Sequence, residues 1–452
     1  MNATRLNQAK LPIELGDGLF LRRSAVRDAD ALTDFNARIQ SDDGPDHPDE
    51  RVGVWARDLL TRPHPTFKPE DFTVVEEKAT GKIVSSMNLI SQTWTYAGVP
   101  FKVGRPELVG TLPEYRNRGL VRLQFEVIHR WSAERGEKVQ AITGIPYYYR
   151  QFGYEMALNL GGGRLGFQMQ IPRLKVGETE PYHIRPAVEA DIPLLSQMME
   201  MSNCRSLVAC AWDEALWRYE LSGKSEKNVN REDVRIIETP GGKPCGFFIH
   251  PPYNWGERMV LHQYEILPGY SWLEISPAII RYLEVAHARL PPSHGEKKPF
   301  GGFGFWLGED HPVYHVIPDR LPKVRTPYAW YIRVADIPDF LRLVSPVLEQ
   351  RLAESPLAGY DGELKITFYR EGVRLVLERG KLAKIEGYKP HPYGHEGNVG
   401  FPPHTFLQLL FGYRSMDQLK FSFSDCWTDK DEYHILMDIL FPRQPSDFWP
   451  VS

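Results

Sequence analysis

The chain has 452 residues, enough for about three separate cores at roughly 150 residues per domain. Its 54 Lys and Arg against 58 Asp and Glu leave a net charge of −4 with no long basic run, so neither nucleic acid nor an acidic membrane surface is an expected partner. No stretch approaches the ~18 apolar residues of a spanning helix, and Met1 to Gly16 has no apolar core followed by a small-residue cleavage site; the protein is expected in the cytoplasm.

Residues 19–26 read as an opening strand, and Arg27-Asp28-Ala29-Asp30 caps a helix carrying Ala31, Leu32, Phe35 and Ile39. The acidic, polar stretch 40–49 reads as a loop. Residues 72–77 and 83–90, joined by Ala79-Thr80-Gly81-Lys82, form a hairpin with a Gly turn. Residues 107–111 alternate like a short strand and are halted by Pro113. Next comes Arg116-Asn117-Arg118-Gly119-Leu120-Val121, and Leu120, Leu123, Val127, Ile128 and Trp131 then recur at helical spacing. A helix therefore starts inside the turn. Its first amides lack partners and sit at the positive end of the helix dipole, so the turn can hold an anion. Gly119 lets the backbone approach, and Arg116, Arg118 and Arg122 add charge. The stretch reads as a pyrophosphate cradle, against the plainer alternative of a solvated turn. Residues 139–145 form a second strand, and Pro146-Tyr147-Tyr148-Tyr149-Arg150-Gln151-Phe152-Gly153-Tyr154 closes the unit.

Gly161-Gly162-Gly163 is followed by no Lys-Ser/Thr and reads as a bend or bulge. Residues 182–191 begin again with strand, charged cap and helix (Ile192, Leu195, Met198, Met199), echoing residues 21–30. At the corresponding late position residues 261–269 lead into 276–283 without an Arg-x-x-Gly turn, so the second repeat is expected to be catalytically empty and to shape the first domain's groove. Gly301-Gly302-Phe303-Gly304-Phe305 lacks the strand-turn-helix setting of a dinucleotide loop. Beyond Ala329 the pattern gives a strand (330–334), a helix (337–353), a hairpin (364–369 and 374–379), a Pro-led helix (404–411) and a last strand (419–423). Cys204, Cys210, Cys245 and Cys426 have no CxxC or zinc-site spacing and read as reduced, mostly packed thiols. His311 and His315 are flanked by Pro312 and Pro318 and read as a surface turn, so no metal is expected.

The succession of strand, Arg-x-x-Gly-x-(small) turn, helix, strand and Tyr-x-x-Phe-Gly-Tyr cap resembles the acyl-CoA site of the GNAT acetyltransferase superfamily. It is more closely similar to the enhanced intracellular survival (Eis) acetyltransferases, whose turn has the form Pro-x-x-Arg-Arg-Arg-Gly-Leu-Leu-Arg. Here the turn is Pro113-Glu114-Tyr115-Arg116-Asn117-Arg118-Gly119-Leu120-Val121-Arg122, with Val121 where many members have Gly or Ala. The elements after residue 329 resemble the sterol-carrier-protein-like domain that ends Eis chains. The resemblance implies an α+β chain: a catalytic GNAT domain (1–172), a second, degenerate GNAT-like α/β domain (173–327) and a sterol-carrier-like α+β domain (328–452). It also implies acetyl-CoA as cosubstrate and N-acetyl transfer to a cationic amine, whether aminoglycoside-like, polyamine-like or lysine-containing. A homo-oligomer follows, hexamer favoured, with Trp272 and Trp306 among the aromatic surface that assembly would cover.

By the same resemblance Val109, Gly110 and Thr111 hydrogen-bond the pantetheine, Arg116, Asn117, Arg118, Gly119, Leu120, Val121 and Arg122 hold the pyrophosphate, and Gly144 and Ile145 complete the cofactor site. Tyr149 is the general acid, since a phenol with a pKa near ~10 keeps a proton to give a thiolate. Two carboxylates compete as base. One is the terminal carboxylate of Ser452, at the end of a tail anchored by Phe448 and Trp449; the other is Glu107, which by alternation shares a face with Val109 and Thr111. The competing class is a non-enzymatic protein that binds acyl-CoA or a lipid.

Overall fold

The computed structural model describes residues 11–391 and 396–452. Its first sheet is built from β1 (Ile13–Gly16), β2 (Leu19–Arg23), β3 (Phe72–Glu77), β4 (Ile83–Tyr96), β5 (Val99–Thr111), β6 (Val139–Ile142) and β7 (Glu155–Leu160). Near-continuous burial along β3 and β4 marks strands covered on both faces. On one side Val75, Val84, Met87 and Leu89 pack against Leu120, Phe125, Ile128 and Trp131 of helix α3 (Leu120–Glu134). On the other, Phe72, Val74, Ile83 and Ile90 meet helices α1 (Ala29–Ile39) and α2 (Glu50–Thr61). Gly53 lies mid-helix in α2, where a Cβ would come within 2.9 Å of the Thr33 carbonyl oxygen on α1. The sequence reading missed α2; its start is capped by Asp49, whose side chain accepts from the Arg51 amide at 2.9 Å.

Strands run β1 to β6 in order, followed by Tyr328–Val334 and then β7, while Val208–Cys210 pairs with the far end of β4. Gly163–Phe167, in turn, pairs with Gly302–Phe305 and Lys323–Arg325. Pairing thus crosses the expected limits at residues 172 and 327. The repeat read from the sequence recurs atom for atom. Arg22 donates to both carboxylate oxygens of Asp28 at 2.8 Å and to Glu76 at 2.7 Å; Arg185 donates to Asp191 at 2.7 and 2.9 Å and to Glu238 at 2.7 Å. In each case the aspartate also accepts a backbone amide three residues upstream, from Ala25 or Val188.

The final region lays helix Ile337–Ala353 on a five-stranded sheet, its Phe340, Leu341, Val344, Leu348 and Leu352 fully buried. Three expectations need correction. Residues 419–423 are not a strand: 419–422 end helix Met416–Ser422, with Phe423 as its C-cap, and the helix is started by a reciprocal Ser415–Gln418 capping box and buries Met416 and Leu419 on one face. His311 does not lie in a surface turn: it is buried and accepts the Val313 amide at 3.3 Å, while His315 is exposed. Trp306 is buried too, so it offers no surface for assembly. The cysteines are free, with Cys210, Cys245 and Cys426 buried and Cys204 exposed. Among the described residues no helix is long and apolar enough to cross a membrane, and no group of His, Cys, Asp and Glu could hold a metal.

Candidate active site

Strands β5 and β6 run parallel but pair only at Val103–Val139 and Gly104–Gln140. From Arg105 onward they part, which leaves the β6-facing edge of β5 without a strand partner and opens a cleft of about 880 Å³. The register against β4 shifts between Ser86–Gly110 and Asn88–Glu107, so β5 carries one extra residue, and Leu108 takes a left-handed conformation (φ 51°). This bulge breaks the alternation read from the sequence. Val109 and Thr111 face α3, with Thr111 Oγ1 2.7 Å from Ser85 Oγ and Gln124 donating to the same hydroxyl at 2.6 Å. Leu108 and Gly110 face α1, where a Cβ on Gly110 would meet Ile39. Glu107 goes with Arg105, whose cross-strand neighbour Ile90 belongs to that second face. Glu107 therefore does not share a face with Val109 and Thr111.

At the mouth of the cleft Asn117 (φ 62°) and Gly119 (φ 73°) turn the chain through left-handed conformations into the first turn of α3. No side chain caps that helix, and nothing lies within 4 Å of a Cβ built on Gly119, so its free amides face open space. Arg116, Arg118 and Arg122 donate only to neutral groups, the Thr111 and Glu114 carbonyls at 3.3 Å and Gln151 Oε1 at 3.2 Å. Among the described residues none of the three pairs with a carboxylate, and their charge stays available to an anion. Of the residues assigned to the cofactor from the sequence, all line the cleft except Arg118, which lies over the ring of Tyr115 at 5.0 Å.

The tyrosine cap is a tight turn, Tyr148–Phe152, entered through Tyr147 (φ 66°) and left through Gly153 (φ 86°). It separates the three consecutive tyrosines. Tyr147 is 77 % exposed, whereas Tyr149 is buried, packed edge-on to Phe125 at 6.0 Å and Tyr331 at 5.5 Å. Burial, and after it the charge of Glu107, holds the Tyr149 hydroxyl well above the ordinary phenol range. A Cβ on Gly144 would lie 1.8 Å from the Tyr149 ring, so that glycine makes room for the tyrosine. Gly144→Ala is accordingly expected to cost about 1–3 kcal/mol by overpacking, read as a lower thermal midpoint together with reduced turnover.

The tail crosses from the second repeat into this region. Ser446 Oγ accepts the Val208 amide at 2.8 Å, Phe448 packs on Trp94 and Trp330 with centroids at 4.8 and 5.5 Å, and Trp449 stacks on His262 at 3.8 Å. Phe448 and Trp449 do anchor the tail. Ser452 is buried, but in a recess with Gln92, Thr93 and Asp213, and it does not line the cleft, as Glu107 and Tyr149 do. Arg105 joins the two places: it donates from one guanidinium nitrogen to the Val451 carbonyl and from another to Glu107, and its guanidinium lies 5.1 Å from the Trp330 ring. Burial raises the proton affinity of Glu107, and Arg105 opposes that rise. The sequence reading passed over Arg105, although its i, i+2 spacing to Glu107 on a strand was visible.

Residues 46–157 match the sequence profile described as "Acetyltransferase (GNAT) domain". No curated protein sequence matches the chain. Solved structures do. A protein of unknown function from Enterococcus faecalis V583, described as a probable N-acyltransferase, superposes with a TM-score of 0.63 at 14% identity, covering 96% of this chain and 98% of its own. A GCN5-related N-acetyltransferase from Anabaena variabilis gives 0.62 at 13%, covering 95% and 100%. Eis1 from Mycobacterium abscessus gives 0.56 at 13%, covering 95% and 99%. At these identities the likeness is one of fold: it extends over nearly the whole mixed α+β chain, and the GNAT match lies in residues 46–157.

Proposed function

We propose that the protein transfers the acetyl group of acetyl-CoA to a primary amine of a cationic acceptor. The observation that carries this is the parting of β5 and β6 into a cleft that ends on an uncapped helix start flanked by Arg116 and Arg122, neither with an acidic partner among the described residues. Backbone groups of Val109 to Thr111 suit the amides of an extended pantetheine, and the α3 amides suit a pyrophosphate. The acetyl-CoA assignment follows the GNAT resemblance, and the cleft's volume of about 880 Å³ supports a donor of that size.

In the reaction the amine nitrogen forms a bond to the thioester carbonyl carbon, the carbon–sulfur bond breaks, and the departing thiolate needs a proton. Tyr149 supplies it: its raised proton affinity keeps the hydroxyl protonated throughout the working pH range, and no described residue hydrogen-bonds it. The ammonium proton passes to a carboxylate. Glu107 lines the cleft beside Tyr149, and the Ser452 carboxylate ends one residue beyond the carbonyl that Arg105 holds. Because burial raises the proton affinity of Glu107, a Glu107 base would lose its working form as pH falls, and kcat would drop on the acid side.

Calorimetric titration with acetyl-CoA, followed by thiol release against a panel of amines, tests the proposal. Saturable binding with amine-dependent thiol release is expected. Tight binding with no release for any amine would favour an acyl-CoA-binding carrier instead.

A further inference from the structure

A second cavity of about 190 Å³ lies between the second repeat and the C-terminal tail and shares no lining residue with the cleft. Its walls include Trp212, Tyr253, Trp255 and Trp449, together with the carboxylates of Glu232 and Asp447. Trp255, 39 % exposed, opens it to solvent. One oxygen of Glu232 meets His262 Nδ1 at 3.1 Å, and the other is buried without a partner. His262, only 6 % exposed, stacks on Trp449 at 3.8 Å with Trp306 at 5.6 Å, and leaves its Nε2 unpartnered, as Asp447 leaves Oδ1. A third carboxylate, Glu220, is already neutralised by the Lys224 ammonium at 2.6 Å. One resident cation shows what these rings accept: the Arg51 guanidinium lies 4.6 Å from the centroid of Tyr253.

Buried carboxylate oxygens without partners are costly, and aromatic faces attract cations through the ring quadrupole. A cavity offering several such rings and two incompletely satisfied carboxylates, at a volume suited to a few heavy atoms, is complementary to one kind of guest. We propose that this cavity binds a small organic ammonium ion, with Glu232 as its counter-charge and Trp255 and Trp449 as its aromatic walls. The guest is either a free cation or the far ammonium of a polycationic acceptor. Since residues 447–451 form one wall, a bound ammonium also fixes the tail whose Val451 carbonyl Arg105 holds. The cavity's affinity for ammonium can be read by binding alone and does not depend on the acetyl-transfer reading.

The experiment is a titration of the full chain with n-butylammonium chloride, followed by tryptophan fluorescence and calorimetry, with 1-butanol as the neutral control and sodium chloride as the ionic-strength control. A saturable response to butylammonium is expected, with 1-butanol at least tenfold weaker. Glu232→Gln should weaken butylammonium binding at least tenfold. Trp255→Leu, at the partly exposed mouth where folding is not at stake, should weaken it several-fold with an unchanged circular dichroism spectrum. No saturable response, equal binding of 1-butanol, or full affinity in Glu232→Gln would each overturn the proposal. The source of the ammonium is read from kinetics: competition with the acceptor amine identifies its far end, and an unchanged acceptor KM identifies a free cation.

Discussion

Gly119→Asp should abolish measurable acetyl-CoA binding at concentrations that saturate the parent protein while leaving the fold intact. Nothing lies within 4 Å of the new Cβ, and Asp is among the residues that tolerate φ near +70°, so the backbone should keep its path. The carboxylate would stand at the uncapped amides of α3, where it can cap the helix itself and repel a pyrophosphate. Losing charge-assisted bonds there is worth on the order of 10²-fold in affinity. Calorimetry against the parent reads the effect, and circular dichroism reads the fold. Gly269→Asp, at the corresponding turn of the second repeat (φ 90°, also open), is the matched control and should leave binding unchanged. There, the space beside Gln263–Ile266 is filled by Tyr264 with Trp272 and His311, their ring centroids 4.7 and 6.2 Å from that of Tyr264. Equal affinity in Gly119→Asp and the parent would mean that the anion site is elsewhere.

Tyr149→Phe should lower kcat by at least ~10²-fold, the usual cost of removing a general acid, with acetyl-CoA affinity nearly unchanged because the ring and its contacts with Phe125 and Tyr331 remain. The two candidate bases separate by where their charge sits. Amidating the terminus removes the Ser452 charge but keeps the Val451 carbonyl that Arg105 and Gln92 hold, so it is a cleaner change than cutting the tail. If the amide slows turnover comparably and Glu107→Gln does not, the terminus is the base; the reverse order assigns Glu107. A further sign belongs only to Glu107. With that residue as base, the acid limb of the kcat profile should move to higher pH in Arg105→Gln, because the cation that opposes the rise in proton affinity is gone. A full-rate Tyr149→Phe enzyme would reduce this tyrosine to a packing residue.

Local signals carried the first third of the chain well. The Gly119 turn, the start of α3 and the tyrosine cap are each encoded within a few consecutive residues, and the structure places them on a single cleft. The repeat was also legible, because the Arg22–Asp28 and Arg185–Asp191 clamps are set by local spacing. What escaped depended on distant partners. The bulge at Leu108 exists against β4 and cannot be seen in the alternation of β5 alone, which is why Glu107 was put on the wrong face. Residues 419–423 alternate superficially like a strand, but Ser415 and Gln418 three positions apart were the helix signal to follow. Trp306 looked like spare surface until Trp449, more than a hundred residues later, was found stacked over it at 5.7 Å.

The placement of Tyr328–Val334 between β6 and β7 governs how this chain can be made. On a ribosome, β7 emerges long before Tyr328–Val334, the strand that it pairs with among the described residues, and until residue 334 is available it waits with an open edge. The first region cannot be excised as a free-standing fragment at residue 172 without leaving β6 and β7 as neighbours of a missing strand, an invitation to intermolecular pairing. Closing that sheet joins segments far apart in sequence, a topology that slows folding, and the region that holds the cleft should mature only once most of the polypeptide has been synthesised.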